Sequence, residues 1–467
     1  MFETKRSDGL ILQTVITNRH LCATTFQKME TFLNHQLKVG IRAVIFDFSA
    51  VQSIDYTALS ALLEVYRTFD GPMTLAYCGL PKHEAFADSS CSLSQLLPLY
   101  SDPNHALSDP AFSKLEMATL NGIVLAGGAA QNVLPSFLPT SLLPLMGKSF
   151  LHHTLEGMQN AGIRNAIVDT GSFGSIIRKS LMTTQFKTIN LGFLNDHPAQ
   201  TPKGSYNTIE RLSQLNNTLS AFSNDTVISI GNAMPDVDFA KAFREHKERK
   251  ADITVCVSGA RSHSSAEIQE LLAYNPSILN AVFTGCLFFR NGLFDDFEVP
   301  DQHATLSQVL KKIAESGGAI HFHFSQSKGR VVTNLRSYFE VLSHSLVGGY
   351  QSVSQSLTAN KNGVWLHPEA EVSSTADIRG PCYIGAGVKI SAKAELQGPV
   401  AIESGCEIGQ GARIHHSVIS NEHRAPPRAL RRDVIAFMDW VGPLATPAFT
   451  QTNQAPKQHV RLGMGFN

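Results

Sequence analysis

Residues 366–414 read LHPEAEVSSTADIRGPCYIGAGVKISAKAELQGPVAIESGCEIGQGARI. Every sixth position is aliphatic: Leu366, Val372, Ile378, Ile384, Ile390, Leu396, Ile402, Ile408 and Ile414. Four residues after each of the first eight stand Ala370, Ala376, Cys382, Val388, Ala394, Val400, Cys406 and Ala412, all small or β-branched. A sandwich strand would alternate with period two. A period of six, held over 49 residues, marks a parallel β-helix whose inward side chains stack coil on coil. Six residues make one face of a triangular prism, so the segment supplies about three coils.

Downstream, Arg424-Ala425-Pro426-Pro427-Arg428 punctuates the chain. From Arg428 to Val441 the spacing turns helical, with Leu430, Val434, Met438 and Val441 on one face. This predicts an amphipathic helix. Such a helix can lie on a membrane surface, but its expected role is to cover the open end of the prism. The last twenty-odd residues are expected to form a flexible tail.

Upstream, two stretches alternate strand and helix, an α/β pattern. In the middle third, Gly122-Ile123-Val124-Leu125-Ala126 reads as a buried parallel strand followed by Gly127-Gly128. Helices are expected at Phe150 to Ala161 and Asp238 to Lys250, and strands at Ile163 to Asp169, Val227 to Ile230 and Ile253 to Val257. In the first third, strands are expected at Leu10 to Thr17, Ala43 to Phe48 and Thr74 to Cys78, with helices at Ala23 to Leu37 and Thr57 to Phe69. Ser101-Asp102-Pro103-Asn104 and Ser108-Asp109-Pro110 read as turns that mark a boundary near 110–120.

Three resemblances follow from these residues. The hexad register resembles the left-handed hexapeptide-repeat β-helix. The run from Val44-Ile45-Phe46-Asp47-Phe48-Ser49 to Asp55-Tyr56-Thr57-Ala58-Leu59 resembles the STAS domain of bacterial anti-sigma-factor antagonists. That resemblance implies a protein partner, switched by phosphate at the start of a helix. Tyr56 stands at the family's phosphoacceptor position, and Thr57 is the only aliphatic hydroxyl in the turn. Both are phosphorylation candidates, while Thr57 or Asp55 equally suits a helix cap.

The middle third resembles the sugar-1-phosphate nucleotidyltransferases, the nucleotide-sugar pyrophosphorylases. The matching residues are Val124-Leu125-Ala126-Gly127-Gly128, Leu142-Leu143-Pro144-Leu145-Met146-Gly147-Lys148, Ile230-Gly231-Asn232 and the stretch from Asp238 to His246. The resemblance implies a Rossmann-like α/β fold and nucleotide binding at Leu125, Ala126, Gly127 and Gly128. Glycines at a strand end let backbone approach a phosphate closely. The family's reaction joins a nucleoside triphosphate to a sugar 1-phosphate and releases pyrophosphate. It needs cations and carboxylate-held Mg²⁺ to carry the developing charge. Here the family's catalytic positions hold other residues. Neither the glycine nor the arginine follows the Gly127-Gly128 turn, where Asn132 stands, and the family's lysine is Thr140. The two metal-binding aspartates correspond to Asn232 and Val331. Asp236 and Asp238 remain as carboxylate candidates for a metal, although Asp238 also matches a helix-opening position where aspartate caps. His415-His416 raises an acyltransferase reading, since hexapeptide acyltransferases use a histidine base between subunits, but the sequence identifies neither the partner subunit nor the cofactor groove that such a base needs.

Composition sets the outer bounds. The chain has 467 residues, enough for about three domains at roughly 150 residues each. Lys+Arg and Asp+Glu are both 39, which argues against nucleic acid as a partner. Charged residues are 17%, and the charges are missing where a nucleotidyltransferase needs them. The seven scattered cysteines form no zinc or redox pair and suit a reducing compartment. No signal peptide or transmembrane run is visible, so a cytoplasmic location is expected.

The expected fold is multidomain: an α/β STAS domain over 1–117, an α/β nucleotidyltransferase domain over 118–345, a linker over 346–362, a β-helix over 363–420 and a helix with tail over 421–467. The expected function is a degenerate nucleotidyltransferase-like regulator in nucleotide-sugar or polysaccharide synthesis. It would sense a nucleotide sugar or bind a partner, and would assemble through the β-helix into a homo- or hetero-oligomer. The alternative is an active pyrophosphorylase with displaced catalytic groups, and only that reading requires Mg²⁺.

Overall fold

The computed structural model describes residues 2–81, 96–127, 139–182, 186–194, 224–259, 282–293, 306–325, 328–350, 353, 362–420, 423–437 and 440–444. The chain divides into two compact units. One comprises Met1–Thr333 with Gly348–Leu357, and the other Asn334–Val347 with Thr358–Asn467.

The first unit holds two sheets. The N-terminal sheet has five strands, in the order Phe2–Asp8, Ile11–Ile16, Ala43–Asp47, Thr74–Cys78, Leu99–Tyr100. Only the first pair is antiparallel. Ala43–Asp47 is buried at every position because both of its faces are covered. Val44 and Phe46 face the helices Ala23–Lys38 and Tyr56–Phe69 through Phe26, Met29, Leu33 and Leu62. Ala43 and Ile45 face Ala106, Leu107 and Phe112 on the other side. Those three belong to the helices Pro103–Ser108 and Pro110–Met117. The two Asp-Pro pairs expected as turns therefore open helices. Asp102 accepts the amide of His105 and Asp109 that of Ala111. Proline suits the first helical position, where its missing N–H would have had no partner.

The second sheet has seven strands, in the order Asn190–Leu194, Asn165–Asp169, Asn121–Leu125, Thr226–Ile230, Val282–Phe289, Ile253–Ser258, Ile320–Ser325. Val282–Phe289 runs antiparallel to both neighbours, and all other pairs are parallel. Helices Phe150–Ala161, Gly174–Met182 and Phe239–Glu248 bury Leu151, Leu155, Met158, Ile177 and Phe243 against Val124, Val168, Val227 and Phe288. Leu310 and Ile313, from the helix Leu306–Glu315, pack on the opposite face with Ile123, Ile228 and Leu287. Asn121–Leu125 comes first in sequence yet lies inside the sheet, with later strands on both sides. That makes its C-terminal end a topological switch point, where open α/β sheets bind ligands.

The second unit joins the helix Leu335–Leu346 to three sheets of short strands. The chain visits the three sheets in rotation. Cys382–Ile384 pairs in parallel with Val400–Ile402, Lys389–Ile390 with Glu407–Ile408, and Glu395–Gln397 with Arg413–His415. This pairing is compatible with the β-helix that the six-residue period predicts. Ile384, Ile402 and Ile419 are all fully buried. At the start of the stack Leu366 is 45% exposed.

The structure overturns the helix expected from Arg428 to Val441. That stretch forms the strands Leu430–Arg432, Val434–Phe437 and Trp440–Pro443. The first two prolong the parallel stack beyond the expected segment, and Trp440–Pro443 folds back antiparallel on Val434–Phe437. The register explains the misreading. Leu396 pairs with Ile414, eighteen residues on, but Ile402 pairs with Ile419 and Ile414 with Arg431, seventeen on. One residue drops out of each later turn, so the hexad count fails after Ile414. The residues placed on an apolar helical face do not share a buried face: Leu430 is 64% exposed and Val441 40% exposed. Met438 lies outside the described residues. No described helix is long and apolar enough to cross a membrane.

Burial separates two leucine-sized positions in this unit. Ile402→Ala should lower stability by about 2–5 kcal/mol through the cavity it leaves. Leu430→Ala should change it by less than about 0.5 kcal/mol. Urea unfolding followed by circular dichroism distinguishes the two, and equal effects would contradict the strand assignment.

Candidate functional site

Sheet pairing brings four sequence-distant segments to one place. Leu125 lies opposite Ile230 on the parallel neighbour strand, so Ala126-Gly127 and Gly231-Asn232 leave the sheet together. The Gly231 amide donates to the Leu125 carbonyl at 2.9 Å, and the Ala126 amide to the Asp169 carbonyl at 2.8 Å. The short turn Thr140–Leu142 closes over them, with the Ser141 hydroxyl donating to the Ala126 carbonyl at 2.8 Å. Thr140 is buried in the same turn.

Both described glycines are fixed by crowding. A Cβ on Gly127 would strike the backbone of Thr170 and Gly171. A Cβ on Gly231 would stand 2.8 Å from the Ala126 Cα and 2.9 Å from the Leu125 oxygen. Real side chains do not sit that close, so packing alone requires glycine at these two positions. Gly128 and Asn132 lie outside the described residues.

Asn232 and the segment around Val331 also meet. The Asn232 side-chain amide donates to the Val332 carbonyl at 2.7 Å, and the Val332 amide donates to the Asn232 carbonyl at 2.9 Å. Ala233 pairs with Val331 in the short ladder that follows. The two positions matched to the family's metal aspartates are thus neighbours in space. Neither supplies the carboxylate by which Mg²⁺, a hard cation with oxygen ligands, is usually held. Val331 offers no side-chain oxygen, and Asn232, whose amide nitrogen donates to a carbonyl, offers a neutral oxygen in place of a carboxylate. Among the described residues no group of three or more His, Cys, Asp or Glu is placed to hold a metal ion.

Asp236 and Asp238 go elsewhere. Asp238 caps the helix Phe239–Glu248, accepting the Lys241 amide at 3.0 Å. Asp236 adopts a left-handed backbone with φ of 39°, and its carbonyl accepts from the Ser325 hydroxyl. Both line a cavity of about 820 Å³ whose lining includes neither Gly127 nor Asn232.

In the N-terminal domain Asp55 is the helix cap. Its Oδ1 accepts the Ala58 amide and the Thr57 hydroxyl, each at 2.6 Å. These bonds, that of Thr57 first, hold its carboxyl below the usual range. Thr57 itself is exposed. The side chain of Tyr56 is outside the described set. Parallel pairing of His20–Leu21 with Ser53–Ile54 adds a contact that the sequence did not suggest: His20 Nδ1 lies 2.6 Å from the Ser53 hydroxyl.

Two family models match parts of this chain. Residues 3–85 match the family model of the STAS domain, and residues 121–267 match that of the nucleotidyl transferases. The chain is similar to a mannose-1-phosphate guanylyltransferase of Mycobacterium tuberculosis (strain ATCC 25618 / H37Rv), at 24% identity over 292 residues. The match covers 59% of this chain and 78% of that protein. The chain therefore carries a nucleotidyltransferase-like domain alongside a STAS domain. The sequence had pointed to Gly127, Thr140, Asn232 and Val331. It gave no sign of Ser141, whose only signal is a hydroxyl beside the Thr140 position.

The Asn232–Val332 clasp makes a prediction. Asn232→Asp replaces a donor with a carboxylate facing a carbonyl, which leaves both oxygens without a proton to share. It should lower stability by about 1–3 kcal/mol at neutral pH. Chemical denaturation of the variant and the parent measures the difference.

Proposed function

We propose that this protein is a degenerate sugar-1-phosphate nucleotidyltransferase-like regulator, acting in the cytoplasm on nucleotide-sugar or polysaccharide synthesis. One observation carries the reading: where the resemblance implies two metal-binding aspartates, Asn232 is clasped to Val332 beside Val331. Removing one preorganised charge typically costs about 10²–10³ in rate. Here the lysine position (Thr140) and both carboxylate positions are neutral, and no arginine follows the glycine turn. The rival, an active pyrophosphorylase with displaced carboxylates, would need Asp236 or Asp238 at the strand ends. The capping bond of Asp238 and the cavity that both residues line speak against it.

In this reading the nucleotidyltransferase-like domain binds a nucleotide sugar, or an active relative, without turnover. The STAS domain docks a protein partner at the start of the helix Tyr56–Phe69, where the exposed Thr57 is the phosphorylation candidate. The C-terminal coils form a left-handed β-helix that mediates assembly.

The test is incubation of the purified protein with Mg²⁺, nucleoside triphosphates and sugar 1-phosphates, with pyrophosphate as the readout. No release above background is expected. Turnover that disappears in an Asn232→Ala variant would sink the reading. For the switch, mass spectrometry of protein from cells in several growth states should find phosphate on Thr57 or Tyr56.

A further inference from the structure

Cys256 and Cys286 meet inside the seven-stranded sheet. Cys256 lies on Ile253–Ser258 and Cys286 on the antiparallel neighbour Val282–Phe289. Val255 pairs with Leu287 and Val257 with Phe283. Between those pairs Cys256 alone faces Thr284, Gly285 and Cys286, so the second strand bulges. Both cysteines are fully buried, on the face covered by the helices Phe150–Ala161 and Phe239–Glu248. The Cys286 side chain hydrogen-bonds the Cys256 thiol, and both thiols are free. Cys256 and Cys286 are the next opposed positions after Val255 and Leu287. Opposed residues of an antiparallel pair stand about 4.5–5.5 Å apart at Cα. That lies within the roughly 4.4–6.8 Å that a disulfide spans.

The pair is buried but not remote from solvent. On its other side Cys256 pairs with His323 of the strand Ile320–Ser325. His323 Nδ1 donates to the Glu245 carboxylate at 2.8 Å, which holds the ring on the side of the helix Phe239–Glu248. His323 also lines the cavity of about 820 Å³, so that space ends one strand away from Cys256. Hydrogen peroxide, little larger than water, fits such a space. Burial first, and then the Cys286 thiol, hold the Cys256 thiol well above its usual pKa. The thiolate is the reactive form, so the closed pair reacts slowly. The bulge supplies the opening that reaction needs, because the ladder is already interrupted there.

We propose that Cys256 and Cys286 are a redox modification site, closing to a reversible disulfide under peroxide and pinning the bulged strand against the Asn232 segment. The Cys256 sulfur takes one peroxide oxygen as the O–O bond breaks, and a first water leaves. The Cys286 sulfur then displaces that oxygen as a second water, and the S–S bond forms. The two thiols lose two electrons, and the peroxide is reduced to two waters. In a reducing compartment such a bond is transient, and other thiols undo it. The link to the strand ends runs through Gly285. It adopts φ of 89°, and a Cβ there would strike that of Ala233 and stand 3.2 Å from Val331 Cγ2. Cys286 therefore adjoins the ladder of Ala233 and Val331 that follows the Asn232–Val332 clasp. Closing the disulfide holds this corner of the bulge in one arrangement. The site does not depend on the nucleotide-sugar reading.

Peptide mapping of the full chain by mass spectrometry tests this. The protein is treated with millimolar hydrogen peroxide, the remaining thiols are alkylated, and trypsin separates the two cysteines at Arg261. A linked Cys256–Cys286 peptide should appear in most chains and vanish on treatment with dithiothreitol. The unfolding midpoint should rise by about 3 °C or more on oxidation, because the bond closes a loop in the unfolded chain. In a Cys286→Ala variant peroxide should leave the midpoint where it was. Hydrogen exchange at the Val332 amide, which bonds the Asn232 carbonyl, should slow at least threefold in the linked protein. The proposal is overturned if both cysteines stay unlinked and open to alkylation while the exposed Cys22 is oxidised. Linkage of Cys256 to any other cysteine overturns it too, as does oxidation to sulfinic acid without a link. Unchanged exchange at Val332 once the link has formed would overturn the pinning of the Asn232 segment.

Discussion

Backbone crowding at the ends of three parallel strands is the constraint on which the middle of this protein depends. The segments after Leu125, Asp169 and Ile230 cross within van der Waals distance, and they do so because Gly127 and Gly231 have no side chains. The amides of Ala126 and Gly231 then bond across to neighbouring strands, and Ser141 takes the remaining Ala126 carbonyl. Backbone groups buried this way must find partners, and here they find each other. The same crowding lays the Thr140 turn and the Asn232–Val332 clasp beside the switch point.

That scaffold holds its shape through backbone and neutral side-chain hydrogen bonds. In a site of this kind a pair of carboxylates is costly unless a cation sits between them. The clasp between Asn232 and Val332 consists of neutral hydrogen bonds that need no ion. Packing and chemistry are thus separable here. The glycines serve the first.

The elements most legible in the sequence were those with local signals. The strand Thr74–Cys78 and the helix Phe150–Ala161 fall on their expected bounds, because alternation or helical spacing is matched by clear punctuation. Asp238 was readable as a cap, since aspartate before an amphipathic run accepts a helix amide. Asp102-Pro103 and Asp109-Pro110 were misread as turns because the same residues open helices. The segment from Leu430 to Val441 was misread because one residue is lost from each late coil. A hexad then looks like a helical repeat, and only the neighbouring coil shows where the register resumes.

By itself the sequence determined the three textures of this chain, the six-residue stack, and the identities at 140, 232 and 331. Periodicity and residue type are local, and they survive without coordinates. Tertiary structure decided that Asn232 meets Val332, that Gly127 is held by Thr170 and Gly171, and that Asp236 and Asp238 face a different cavity. It also decided that Lys114 and Lys241, over a hundred residues apart, line one cavity. Such meetings depend on sheet order and helix packing, which join positions that no short window of sequence contains.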